Sequence, residues 1–174
     1  TLPVTDVAFA AGFGSVRRFN SAMQKQFRLP PSALRGRRPV TTANANIELL
    51  LHYRPPYDWE GVADFFGRHA VAGVELVTPR SYRRNITLGG VSGCFEVSPM
   101  AGKNALRLEL QLADHSLLLP IVTRVRRMFD LDANPAAIHQ VLGQDRRLAS
   151  LLQRFPGIRS PGHWSLYEAA IRGI

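Results

Sequence analysis

The stretch Leu49–His69 constrains this chain most. It reads as strand, stop, helix. Leu49–Tyr53 is short, apolar and β-compatible. Pro55 and Pro56 end it, because each lacks an N–H and each proline steers the residue before it away from helix. Asp58 is then placed to cap a helix over 58–71, with Glu60 adding negative charge at the positive end of the helix dipole. Trp59, Val62, Ala63, Phe66 and Ala70 fall on one stripe at helical spacing. Phe65 lies off that stripe, about 100° round the helix, and His69 follows one turn on. Two readings fit the pair: the margin of a wide core, or the wall of a cleft.

The strands beyond this point alternate. Tyr82–Leu88 pairs as a strand, although Arg83-Arg84 interrupts its pattern, and Gly89-Gly90 signals a hairpin. Val91, Gly93, Phe95 and Val97 alternate with Ser92, Cys94, Glu96 and Ser98. After a turn at 99–104, Leu106, Leu108, Leu110 and Leu112 alternate with Arg107, Glu109 and Gln111. A helix over 120–129 buries Ile121, Val122, Val125, Met128 and Phe129. Asn134-Pro135 opens another, 146–153 forms a third, and a last one starts near Gly162. The expected class is α+β: an antiparallel meander with the helices of 58–71 and 120–129 on one face, then trailing helices.

Charge separates the first quarter from the rest. The chain carries +9 overall. Residues 1–46 hold seven Arg/Lys against one acid, and residues 47–174 fifteen against twelve. Such an excess seeks a polyanion, and nucleic acid is the first candidate. Residues 4–27 read as helix, tight turn, helix, with Gly12 at the turn, Ala8 four residues earlier, and Ser15 capping the second helix. That helix has a mostly apolar back (Val16, Phe19, Asn20, Met23, Phe27) and a polar front of Arg17, Arg18, Ser21, Gln24 and Lys25. A front of this kind suits the major groove of double-stranded DNA. Ser15 and Arg28 complete the expected DNA-facing set, joined by Arg37 and Arg38 from the linker 37–46. The expected divisions are therefore 1–36, the linker, 47–133 and 134–174.

Other chemistry is thin. Cys94 is the only cysteine, so no intrachain disulfide forms. The five histidines show no metal-ligand spacing, so neither a metal nor another cofactor is expected. Asp130 and Asp132 read as turn residues, not as a catalytic pair. Phe155-Pro-Gly-Ile158 is reminiscent of a DNA-binding hairpin, but Arg159 stands where a second glycine is needed. With no secretory signal or long apolar run, a cytoplasmic location is expected. The chain lacks an initiator Met and opens inside a helical pattern, which points to a piece of something longer.

Two resemblances fit this order. Asp6-Val-Ala-Phe-Ala-Ala-Gly-Phe-Gly-Ser-Val-Arg-Arg-Phe19, then Phe27 and Leu29-Pro-Pro-Ser-Ala-Leu-Arg35, resembles the second helix-turn-helix of AraC-family regulators. Arg28 replaces the glycine usual there, and the first motif of the pair is absent. Residues 48–174 resemble the N-terminal part of AlkA-type 3-methyladenine DNA glycosylases. The matching residues are Pro55-Pro56-Tyr57-Asp58-Trp59, Tyr82-Arg83-Arg84, Met128-Phe-Asp-Leu131 with Asn134-Pro135, Gly157-Ile-Arg-Ser-Pro-Gly162, and Tyr167-Glu168 with Ile171-Arg172. The resemblance implies a TATA-binding-protein-like fold and a parent enzyme that flips an alkylated base and hydrolyses its glycosidic bond. It also implies a base-cleft role for Phe65, and it places His69 beside that cleft.

Together the halves resemble a fusion of an Ada-type regulator with an AlkA-type glycosylase. The catalytic Asp region of that family is not matched, so the chain alone is expected to be inactive, with the parent's other domains as partners. The alternative reading is an AraC-family regulator with a C-terminal domain that senses a small molecule, which expects a closed pocket. The glycosylase reading expects Phe65 to face an open side, with exposed apolar surface around Trp164 and Tyr167.

Overall fold

The computed structural model describes residues 15–27 and 46–172, with 22–27 and 115 as backbone alone. Arg28, Arg37, Arg38 and the first helix of the expected helix-turn-helix lie outside the described residues. Helix α1 spans Val16–Phe27. Ser15 caps it, its Oγ accepting from the Arg18 N–H at 3.2 Å. Five strands follow: β1 (Asn46–His52), β2 (Glu75–Val77), β3 (Tyr82–Leu88), β4 (Val91–Pro99) and β5 (Ala105–Leu112). They form one antiparallel sheet in the order β1-β5-β4-β3-β2. The meander runs from β2 to β5, and β1 returns to close the far edge beside β5. Strand β1 begins at Asn46, inside the expected linker, and α1 packs against it.

Register explains the core. Tyr82 faces Val97, Val97 faces Leu108 and Leu108 faces Leu49, so one apolar row crosses four strands. Helices α2 (Trp59–Arg68) and α3 (Leu118–Met128) cover that face. Helix α2 buries Trp59, Val62, Ala63 and Phe66, each large side chain worth roughly 1.5–3 kcal/mol. Its cap is the expected one: Asp58 Oδ1 accepts from the Gly61 N–H at 2.9 Å. Phe129 sits at the centre, its ring 5.1 Å from Phe66 and 5.5 Å from Tyr82. Three short helices follow among the described residues: α4 (Pro135–Leu142), α5 (Arg146–Arg154) and α6 (Leu166–Arg172).

The boundaries differ from expectation at several ends. Helix α2 stops at Arg68, leaving Ala70 exposed. Helix α3 starts at Leu118 after a single 3-10 turn, and α6 starts at Leu166 instead of near Gly162. Arg84 does not interrupt the alternation of β3. It occupies a buried position opposite Phe95, where two carboxylates neutralise it.

Candidate nucleic-acid interface

Arg17, Arg18 and Ser21 are exposed on α1, whereas Phe19 is buried. The helix thus presents its basic front to solvent. The side chains of Gln24 and Lys25 lie outside the described residues. Ser15 is engaged as the cap of this helix.

Phe65 is half-buried. Its ring packs edge-on against Phe66, with centroids 5.6 Å apart, and lies against the margin of the core. His69 is exposed, and its ring centre is 4.9 Å from that of Phe65. The structure therefore brings the two cleft candidates together. It adds a residue that spacing did not reveal: the His163 ring lies 6.4 Å from Phe65. No periodicity links positions so far apart in the chain.

Trp164 is buried, contrary to expectation, at 7% exposure. Its ring stacks obliquely on Phe95 at 5.8 Å, and the guanidinium groups of Arg124 and Arg84 lie over it at 5.1 and 5.6 Å. Exposed apolar surface does occur next to it. Leu166 and Tyr167 are 80% and 76% exposed, and Ile171, Phe155 and Ile158 are also exposed.

A buried ionic cluster fixes α6 to the sheet. Glu75 accepts four hydrogen bonds: from the Tyr82 hydroxyl at 2.6 Å, Arg84 at 2.8 Å, the Val71 N–H at 2.9 Å and Arg172 at 2.7 Å. Arg84 also binds Glu168. Burial alone would raise the Glu75 carboxyl, but the hydrogen bonds from Tyr82, Val71 and Arg172 and the charge of Arg84 outweigh it and hold it below the ordinary value. The Tyr82 hydroxyl is pushed above its usual range, first by burial and then by donating to Glu75.

The Phe155–Ile158 segment forms a strap against the start of α2. Gly157 is buried, and its carbonyl accepts from the Asp58 N–H at 2.9 Å. Arg159 donates to the carbonyl oxygens of Arg54 and Pro56 at 2.5 and 2.7 Å and lies over the Tyr57 ring at 5.0 Å. Tyr57 stacks on Tyr53 at 4.5 Å and donates to the Phe129 carbonyl. Asp130 and Asp132 are likewise structural: the first accepts from the Ser160 N–H, the second pairs with Arg126.

A cavity of about 370 Å³ beside β2 opens to solvent, lined by Gly73, Val74, Glu75, Leu76, Arg83 and Asn85. Cys94 lies opposite Asn85 on the sheet face away from the core, its thiol donating to Gln111 Oε1 at 3.3 Å. Among the described residues no group of His, Cys, Asp or Glu is arranged to hold a metal, and no helix is long and apolar enough to cross a membrane.

Residues 48–165 match the AlkA N-terminal domain. Across 99% of its length the chain is 36% identical to the "Probable bifunctional transcriptional activator/DNA repair enzyme AlkA" of Mycobacterium tuberculosis (strain ATCC 25618 / H37Rv) and spans 36% of that protein. Across 71% of its length it is 30% identical to "DNA-3-methyladenine glycosylase 2" of Escherichia coli (strain K12), of which it spans 42%. The chain thus spans well under half the length of these curated relatives. A solved structure, a 3-methyladenine DNA-glycosylase from Archaeoglobus fulgidus, superposes with a TM-score of 0.57 at 21% identity, over 71% of this chain and 41% of that one. That likeness concerns the fold alone. With two-thirds of its residues inside the matched domain and its sheet and helices arranged as described, the chain belongs to the AlkA N-terminal domain family.

Proposed function

We propose that this chain is a DNA-contacting part of a bacterial alkylation-response protein. In this reading α1 is the DNA-reading helix of an AraC-type helix-turn-helix, and the α+β domain supplies one wall of a cleft for an extruded, alkylated base. The carrying observation is Phe65. It stands off the buried stripe of α2, half-exposed, with an imidazole beside it, on a domain whose family includes DNA-repair glycosylases by name. An aromatic face at such a position supplies stacking energy of roughly 1–3 kcal/mol to an unstacked base. The hydrolytic step belongs to the remaining domains of the parent protein. The effector-sensing alternative gains no support, because the cavity beside β2 is open and its carboxylate, Glu75, is already bonded four ways.

The test is a duplex carrying one 2-aminopurine opposite a mismatch. Its fluorescence rises on leaving the stack and is quenched again on an aromatic ring. Quenching by the wild-type chain that disappears in Phe65→Ala supports the reading. Identical responses from the two proteins overturn it.

A further inference from the structure

Helix α6 meets the sheet with its polar side. Glu168 and Arg172 reach inward to the sheet, whereas Leu166, Tyr167 and Ile171 are exposed, and no residue of the helix is fully buried. Apolar packing, which holds most short helices in place, contributes little here.

The joint is a closed ring of four charges. Glu75 pairs with Arg84 at 2.8 Å, Arg84 with Glu168, Glu168 with Arg172 at 3.6 Å, and Arg172 with Glu75 at 2.7 Å. Two members belong to the sheet, directly opposite each other on β2 and β3. The other two belong to α6, four residues apart on one side of the helix. Cutting the ring between sheet and helix therefore yields two neutral pairs. Glu75 keeps Arg84, the Tyr82 hydroxyl and the Val71 N–H. Glu168 keeps Arg172. Neither half retains an uncompensated charge, and that residual charge is what makes breaking most buried pairs costly. The chain before α6 is held independently. The Gly162 N–H donates to the Met128 carbonyl at 2.9 Å, and the Trp164 ring packs against Phe95 and Arg124. A pivot thus falls at Ser165, between a fixed tryptophan and a helix docked by charge.

We propose that α6 is a reversible ionic latch. It leaves the sheet by splitting the ring into the pairs Glu75–Arg84 and Glu168–Arg172, while Trp164 and the sheet stay in place. The device redirects the chain after Trp164 without unfolding the domain, whether or not the chain holds DNA.

The experiment is native-state hydrogen exchange of the full chain, read by NMR. The reporters are the amides of α6, among them Ala169, which donates to the Ser165 carbonyl, and the amides of the β4–β5 ladder. Seven residues do not hold a helix alone in water, so undocked α6 exchanges freely. The expected protection of α6 is about a hundredfold below that of the ladder, and still about tenfold above that of an unstructured chain. Glu168→Gln/Arg172→Gln removes both helix charges and leaves the sheet pair neutral. In that variant α6 should lose its remaining protection, while the ladder keeps its own and the tryptophan emission is unchanged. Exchange of wild-type α6 at the ladder's rate overturns the proposal, because the helix then opens only with the whole domain. Wild-type α6 without protection overturns it as well, because there is no docked state to release. Undiminished protection in the variant shows that the ring is not what holds the helix. Red-shifted emission with an intact ladder shows that Trp164 leaves with α6, which overturns the pivot.

Discussion

The guanidinium of Arg84 on β3 binds Glu168 on α6, eighty-four positions further along the chain. The two side chains are 4% and 24% exposed, and Arg84 also holds Glu75, which is 1% exposed. Removing the arginine leaves the buried Glu75 carboxylate with Arg172 as its remaining counter-charge. Arg84→Ala should cost about 3–5 kcal/mol, the usual loss when one partner of a buried pair is removed. Glu168→Gln should cost less, about 1 kcal/mol, because solvent screens its side of the pair. Urea unfolding measures both. Two small and equal losses would show that the cluster contributes little to holding α6.

Glu75 gives the fold a dependence on acid. Its carboxyl is held below the ordinary value of 4.5 by hydrogen bonds from Tyr82, Val71 and Arg172 and by Arg84, against the upward push of burial. A folded value below the unfolded one stabilises the fold fully above pH 4.5. That contribution fades as pH falls through the folded value. The stability difference between wild type and Glu75→Gln should therefore be largest near neutrality and shrink below pH 4.5. A difference that stays constant well below that pH would mean that the Glu75 carboxylate is not what the cluster stabilises.

How legible this fold is depends on whether a signal is periodic. The Leu106–Leu112 alternation and the Trp59–Phe66 stripe are local, and both elements form as their spacing dictates. Phe65 stands off its stripe by helical geometry alone, and its half-burial follows. Arg84 is less legible. A charge on an inward position breaks the apolar pattern, and its counter-charges come from a neighbouring strand and from α6. Strand β2 has three residues, too few for any period to show. His163 reaches Phe65 only through tertiary packing, which spacing does not encode.

Gly157 is a case where tertiary contact dictates residue type. A methyl group there would lie 2.6 Å from the Asp58 nitrogen and 2.8 Å from the Tyr57 carbonyl carbon, both backbone atoms with little room to yield. Gly157→Ala should lift the strap off the start of α2 and cost about 1–3 kcal/mol, the usual range for overpacking. Hydrogen exchange locates the damage. The Asp58 amide, which donates to Gly157, should lose protection, while the β4–β5 ladder keeps its own. Unchanged protection at Asp58 would show that the strap absorbs the extra methyl.

The basic front of α1 makes the last prediction. Arg17 and Arg18 are exposed near the N-terminal end of the helix, and the first 46 residues carry one acid against seven basic side chains. If both arginines meet phosphates, each displaces condensed counterions on binding. Affinity for a DNA duplex should then fall steeply as salt rises. In the Arg17→Ala/Arg18→Ala variant, affinity should be lower at every salt concentration, and the log–log salt slope should be shallower by about 2, one for each lost contact. Fluorescence anisotropy at several salt concentrations measures both quantities. A variant with lower affinity but an unchanged slope would place the arginines away from the phosphates. Absence of binding by the wild-type chain at low salt would remove α1 from the DNA interface.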